Sequence, residues 1–200
     1  LPVEHKDTAA VLYVQGVDDS VEDKAKMLLL RQVLHSPFFN SLRTEKQLGY
    51  IVMASGMPLK KLPGSIFIVQ SPVADSAKLI DEISSFVDDF TELMPKDLTA
   101  HQQAVNNNLL QEPKSLGQQS SRYWNNVLYK HSQFDRNQQL ANAVNNVSPA
   151  ELKAYYKEII EPNRRLWLVS KELKPAQLNG MRVVSSAAEF KREAVVYSYP

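Results

Sequence analysis

Residues 36–70 read SPFFNSLRTEKQLGYIVMASGMPLKKLPGSIFIVQ, and this stretch decides the fold. It predicts the end of a helix, a polar tip, and then two apolar strands at residues 48–54 and 65–70. The glycines and prolines between the two strands predict a loop rather than a two-residue turn. Strands joined by such a loop pair antiparallel, so the stretch indicates a helix followed by a β-hairpin.

The polar tip, which includes residues 42–50, has Arg43 and Tyr50 on either side of the helix-to-strand junction. Arginine carries a fork of charged hydrogen-bond donors, and a tyrosine hydroxyl keeps its proton near neutral pH. Two such donors beside a sheet edge suit a site that grips a peptide carbonyl. The same spacing is typical of a plain helix C-terminus, with Arg43 near the last carbonyls and Tyr50 half-buried on the sheet. The residue types alone favour this plainer interpretation.

The sequence before the tip predicts a strand and a long helix. Residues 9–15 form a short apolar run that ends at a glycine, which is typical of a buried strand. Acidic residues followed by apolar side chains at helical spacing predict a helix from about Val21. Pro37 predicts a break or kink in that helix, after which residues 38–47 can resume as a second helical stretch.

Most of the sequence after the hairpin predicts helices. The amphipathic pattern of residues 74–94 gives the clearest of them. Further helices are expected at residues 97–111, 115–130, 135–145 and from Ser148, with apolar stripes that include Leu116, Trp124, Val127, Leu128, Leu140 and Val144. A strand at residues 166–169, a short strand at residues 183–184 and a short helix at residues 187–191 complete the pattern. This order predicts an α+β fold, a two-layer sandwich of a mainly antiparallel sheet covered by several helices.

Composition excludes several classes of function. With 200 residues, 44% of them hydrophobic and 22% charged, the chain is typical of a globular protein. Its net charge of +1 argues against nucleic acid as the main partner. No cysteine is present for a disulfide or a thiolate metal site, and no apolar run approaches the ~18 residues that cross a bilayer. The chain begins with Leu1 and is interpreted as cut from a longer polypeptide.

The sequence offers no catalytic centre of its own. The four histidines, His5, His35, His101 and His131, are isolated from one another. A lone histidine in a helix is usually a surface residue, so no metal site is assigned. A nucleophile elbow and a phosphate-binding glycine loop are also absent from the sequence.

The run FFNSLRTEKQLGYIV, followed by GSIFIVQS, closely resembles the last of four related domains in the pitrilysin/insulysin family of zinc metallopeptidases. Weaker similarity covers most of the chain, including the SPAEL helix start and the segment EFK at residues 189–191. The resemblance implies a processing-peptidase-like metallohydrolase fold, with residues 1–200 as a single, non-catalytic C-terminal domain. The family binds zinc through a His-x-x-Glu-His motif in its N-terminal half, and this motif is absent here.

The resemblance also implies roles for the polar tip. Tyr50 would donate a hydrogen bond to the oxyanion that forms on the scissile carbonyl, and Arg43 would hold a neighbouring peptide carbonyl. Gly49 would let the backbone turn into the strand. The implied partners are the N-terminal catalytic half of the same polypeptide, which holds the zinc, and peptide substrates; the isolated chain is expected to be inactive. The implied compartment is the periplasm, with the cytoplasm as the alternative.

Two other interpretations stay open. The domain could be catalytically inert and only shape the chamber or bind peptides, in which case Arg43 and Tyr50 would pair internally. It could also be an independent peptide-binding module that uses an exposed strand edge. The sequence disfavours the latter, which requires measurable peptide affinity in the isolated chain.

Overall fold

A computed structural model describes residues 6–128, 134–174, 177–178, 180–184 and 186–193. The strands are β1 (Thr8–Gln15), β2 (Ile51–Gly56), β3 (Gly64–Ser71) and β4 (Arg165–Val169). The helices are α1 (Val21–Phe39), α2 (Ser76–Leu93), α3 (Thr99–Leu110), α4 (Leu116–Leu128), α5 (Arg136–Asn146), α6 (Pro149–Ile159) and α7 (Ala187–Glu193). A π-helical turn (Asn40–Glu45) follows α1, and a 3-10 turn (Pro162–Arg164) precedes β4.

The four strands form one antiparallel sheet in the order β2-β3-β1-β4. Helices α1 and α2 pack on one face of this sheet, where alternate residues of β1 and β3 are buried. This arrangement confirms the predicted α+β sandwich. It also makes β2, the strand that follows the polar tip, an edge of the sheet within the described part of the chain.

A chain of aromatic side chains joins the two layers. The ring of Phe38 on α1 lies 5.2 Å from that of Phe67 on β3 and 5.2 Å from that of Phe86 on α2, measured between ring centroids. The contacts continue from Phe86 to Phe90 and from there to Tyr156 of α6. Because aromatic contacts at these distances add to the energy of burial, these rings tie the sheet, α1, α2 and α6 into one core.

Of the break or kink predicted at Pro37, the break does not form. Proline removes one backbone hydrogen bond, yet α1 runs through Pro37 to Phe39 and passes directly into the π-helical turn. Phe38 and Leu42 lie one turn apart, and both are fully buried. The packing of these two side chains therefore keeps the segment helical despite the missing bond.

The helix predictions after the hairpin are confirmed as α2 to α7, with ends that differ by a few residues. The expected end of α4 near Lys130, and Pro175 in the predicted loop before α7, lie outside the described residues. Within the described ranges, no helix combines the length and the apolar character that crossing a bilayer requires.

Two strand predictions need correction. Strand β2 begins at Ile51 and not at Leu48, because Leu48 is buried as part of the tip. The short strand at residues 183–184 is not formed: both residues are irregular, and Val183 is 60% exposed. Among the described strands, β4 pairs only with β1, and residues 183–184 do not extend the sheet beyond it.

The apolar stripe predicted for α4 is not part of the core. Leu116 is 85% exposed and Trp124 is 62% exposed, and Val127 and Leu128 are exposed as well. Helix α4 instead buries the polar residue Asn126. The corresponding residues of α5, Leu140 and Val144, are buried as expected.

A buried carboxylate lies at the start of α1. Asp23 is 5% exposed, and its Oδ1 accepts a hydrogen bond from the Val17 N–H at 3.2 Å. Burial raises the pKa of Asp23, and the Val17 N–H offsets this only in part. The folded state therefore holds this proton more tightly than the unfolded chain does.

We expect Asp23 to make the protein less stable as pH rises. Since its folded pKa is raised, its contribution is fully present below the ordinary aspartate pKa of about 3.9 and is lost as pH rises through the folded value. Asp23→Asn cannot ionise and should flatten this part of the profile. Urea unfolding across this pH range measures the effect. Parallel profiles for wild type and Asp23→Asn would contradict it.

Candidate functional site

Two buried leucines fix the base of the polar tip. Leu42 is fully buried, Leu48 is 5% exposed, and the Leu48 N–H donates to the Leu42 carbonyl at 3.0 Å. The chain reverses between them at Gln47, whose φ of 50° lies in the left-handed region. The residues between the two leucines are exposed. The tip is thus a surface segment held at both ends by the core.

Arg43 bridges the two sides of the tip. Its Nη1 donates a hydrogen bond to the backbone carbonyl of Tyr50, and its guanidinium carbon lies 5.2 Å from the centroid of the Phe39 ring. A cation over an aromatic face is attracted to it, which adds to the hydrogen bond. One nitrogen of the guanidinium therefore ties the helix end to the residue before β2. The structure places Arg43 beside Tyr50 through the Tyr50 backbone carbonyl, and the substrate-binding roles of the two side chains stay predictions.

Tyr50 presents its phenol to solvent. The residue is 59% exposed and lies just outside β2. The half-buried tyrosine of the plain interpretation is therefore not observed. Its neighbour Gly49 explains the position: a Cβ on Gly49 would lie 2.0 Å from the carbonyl oxygen of Gln70 in β3. Only a residue without a side chain allows this approach, which sets the direction in which the chain leaves the tip.

An ion-pair cluster links the tip to helix α2. Lys46 pairs with Glu82 of α2, and Lys78 pairs with the same carboxylate. These two ammonium groups, Lys46 first, hold the pKa of Glu82 below its usual range. Helix α2 thus contacts the polar tip through the Glu82 carboxylate.

The arrangement offers hydrogen-bond donors and no metal site. Among the described residues, no group of three or more histidines and carboxylates could hold a metal ion. His35 and His101 lie in α1 and α3, whereas His5 and His131 lie outside the described residues. The chemistry available at the tip is therefore donation to an anionic or carbonyl oxygen.

A cavity of about 850 Å³ concentrates cations that are scattered in the sequence. Its lining includes six basic residues and one acidic residue, namely Lys24, Arg31, Lys60, Lys61, Arg122, Arg136 and Glu112. Burial, and then the nearby Arg136, lower the pKa of Lys24. Arg43 and Tyr50 do not line this cavity, so it is separate from the tip. The sequence gives no sign of this cluster, because only Lys60 and Lys61 are adjacent in the chain.

Comparisons with known proteins identify relatives that match most of this chain. A family model described as "PQQ synthase PqqF-like, C-terminal lobe domain 4" matches residues 29–124, which include the tip. The insulin-degrading enzyme of Drosophila melanogaster is 29% identical over 160 residues, or 78% of this chain. Protease 3 of Salmonella typhi is 28% identical over 159 residues, or 77% of this chain.

A solved structure supports the same relationship. The crystal structure of pitrilysin superposes with a TM-score of 0.74 and 26% identity, and the match covers 83% of this chain and 18% of that one. The match to either peptidase above spans only 16% of the relative's length. The similarity therefore concerns one domain of much longer proteins.

Proposed function

We propose that the chain is a C-terminal domain of the pitrilysin/insulysin family of peptidases, to whose members it is similar, and that it assists a zinc-dependent endopeptidase. Residues 1–200 would form a single domain that binds substrate and stabilises the transition state. The catalytic zinc and general base would lie in an N-terminal half of the same polypeptide, and the two halves would enclose peptides in a chamber.

The observation that carries the proposal is the exposed Tyr50 phenol on a fixed tip. The Tyr50 residue is 59% exposed, while Gly49 and the Arg43 hydrogen bond restrain the backbone that bears it. A donor held in place before the reaction costs little reorganisation when charge develops on the scissile carbonyl. Tyr50 would donate to that oxyanion, and the rest of the Arg43 guanidinium would donate to a neighbouring peptide carbonyl.

One observation favours the alternative of an inert packing or peptide-binding domain. Arg43 already donates to a carbonyl of its own chain, as that alternative expects. The phenol of Tyr50, in contrast, is exposed, which favours the assisting role. The two functions differ in kinetics, because loss of a donor used only in the transition state lowers kcat, whereas loss of a packing contact alters stability or KM.

The compartment belongs to the same proposal. The periplasm is the compartment that the family resemblance implies for a bacterial relative, and the cytoplasm is the alternative. Fractionation of cells that express the complete reading frame, with detection of this domain by antibody, would separate the two.

The zinc dependence of the complete protein tests whether zinc binding lies in another half of the polypeptide. We expect the protein from the complete reading frame to cleave a fluorogenic peptide, to lose that activity with a zinc chelator and to regain it with added zinc. The isolated 200-residue chain should show no cleavage with or without zinc. Zinc-dependent cleavage by the isolated chain, or a reading frame without a zinc motif, would refute the proposal.

A further inference from the structure

We infer that the open edge of β2 binds an extended peptide as an additional strand, with Arg43 at one end of the added strand. The inference deepens the proposed function and rests on it for the identity of the peptide as substrate. Strand addition of this kind uses backbone hydrogen bonds for affinity and alternate side chains for selectivity. Ligands of the class expected are therefore extended peptide segments.

The hydrogen-bond pattern of the hairpin shows which groups face the open edge. The Met57 N–H donates to the Gly64 carbonyl at 2.9 Å, which makes these two residues a hydrogen-bonded pair. In an antiparallel ladder such pairs recur at every second residue, so the register places Met53 and Ser55 in hydrogen-bonded pairs with β3. The backbone groups of Val52 and Ala54 then point away from β3. No strand in the described part of the chain covers that side of β2.

Arg43 lies where this edge begins. By the same alternation, the carbonyl of Tyr50 also points away from β3, and this is the carbonyl that Arg43 bonds. The guanidinium therefore stands in line with the backbone groups of Val52 and Ala54. A peptide that pairs with those two residues would reach Arg43 and the Tyr50 phenol at its end. Strand addition would thus align a carbonyl of the peptide with the two donors, Arg43 and the Tyr50 hydroxyl.

The composition of β2 supports a peptide as the occupant. Sheet edges in natural proteins are usually protected by lysine, proline or a bulge, and β2, IVMASG, contains no charge and no proline. Its outward side chains, Ile51 and Met53, are 37% and 39% exposed. They would contact alternate side chains of the added strand on the same face of the sheet. A peptide with apolar residues at alternate positions therefore fits this edge.

Amide hydrogen exchange of the 200-residue chain tests the inference. The probe is a short, end-capped peptide of alternating valine and threonine. We expect the amides of Val52 and Ala54 to exchange quickly without peptide and at least tenfold more slowly with it, whereas Met53 and Ser55 are protected in both states. Binding without protection of Val52 and Ala54 would overturn the inference. So would protection that appears without peptide and grows with protein concentration, because a second copy would then occupy the edge.

A proline variant tests the same edge from the protein side. Ala54→Pro removes an N–H that faces the open edge and leaves the ladder to β3 intact, as proline on an edge strand allows. A cavity of about 440 Å³ adjoins Ala54 and gives the ring room. We expect Ala54→Pro to weaken peptide binding at least tenfold, measured by fluorescence anisotropy, and Ala54→Gly, which keeps the N–H, to retain most of it. Equal affinity of a folded Ala54→Pro would overturn the inference.

Methylated probes keep the test valid should Ala54→Pro fail to fold. Two peptides are compared, one N-methylated at its odd positions and the other at its even positions. Only one of them should lose binding to the wild-type chain, because only alternate N–H groups of the peptide face β2. Equal loss of binding for the two methylated peptides would refute strand addition. Failure of these binding tests leaves the kinetic role of Tyr50 untouched, so the two proposals fail separately.

Discussion

Tyr50→Phe in the complete enzyme is expected to lower kcat by about 10²–10³, the usual loss for one oxyanion donor, with little change in KM. The substitution removes only the hydroxyl. Because Tyr50 is 59% exposed and lies outside β2, the fold should not depend on that oxygen. Initial rates at several substrate concentrations, with thermal unfolding of both proteins, measure the effect.

A matched control is available in the same chain. Tyr123 is also an exposed tyrosine, and it lies on α4 away from the tip. Tyr123→Phe should leave kcat within about twofold of wild type, since a surface hydroxyl far from the reaction has no charge to stabilise. Turnover at the wild-type rate from a folded Tyr50→Phe would remove this residue from the mechanism. A change in KM alone would favour the packing role instead.

Gly49→Ala is expected to destabilise the domain by about 1–3 kcal/mol and to lower kcat at the same time. The added Cβ would lie 2.0 Å from the Gln70 carbonyl oxygen, and this neighbour is backbone in the middle of the sheet. Relief therefore requires a shift of the tip, which carries Arg43 and Tyr50 out of position. Urea unfolding of the isolated chain and turnover of the complete enzyme measure the two effects.

Gly117→Ala provides the comparison for Gly49→Ala. A Cβ on Gly117 meets its nearest neighbour at 3.9 Å, an ordinary contact, and the residue lies within α4. Alanine at such a helical position should leave stability unchanged or raise it by up to about 1 kcal/mol. If Gly49→Ala unfolded at the same urea concentration as wild type, the close approach to β3 would not constrain the tip.

The elements that the sequence predicts correctly are those in which the local pattern and the packing favour the same structure. Helix α2 repeats its apolar residues at helical spacing, and α6 begins with a capping box formed by Ser148 and Glu151. The hairpin of β2 and β3 follows from its apolar runs and the loop between them. In these segments each local signal points to the same structure, which explains why the fold class is predictable.

The predictions that fail depend on contacts between distant residues. Pro37 breaks a helix by local rules, but burial of Phe38 and Leu42 against the core overrides that rule. The amphipathic pattern of α4 predicts a buried stripe, yet Leu116 and Trp124 face solvent. Periodicity reveals that one face is apolar and does not reveal what covers it.

The candidate site shows the same limit. The resemblance singles out Arg43 and Tyr50, and the structure places them in contact. The contact runs through the Tyr50 backbone carbonyl, because the chain turns at Gln47 and approaches β3 at Gly49. The position of β2 at the sheet edge follows from the order of all four strands, which no local pattern encodes.

The most direct test of the central claim is a crystal structure of the complete enzyme with a phosphinic peptide that mimics the tetrahedral intermediate. We expect the Tyr50 hydroxyl to lie about 2.7–3.1 Å from the oxygen that represents the oxyanion. A hydroxyl that instead bonds within its own domain, with that oxygen held only by the other half, would contradict it.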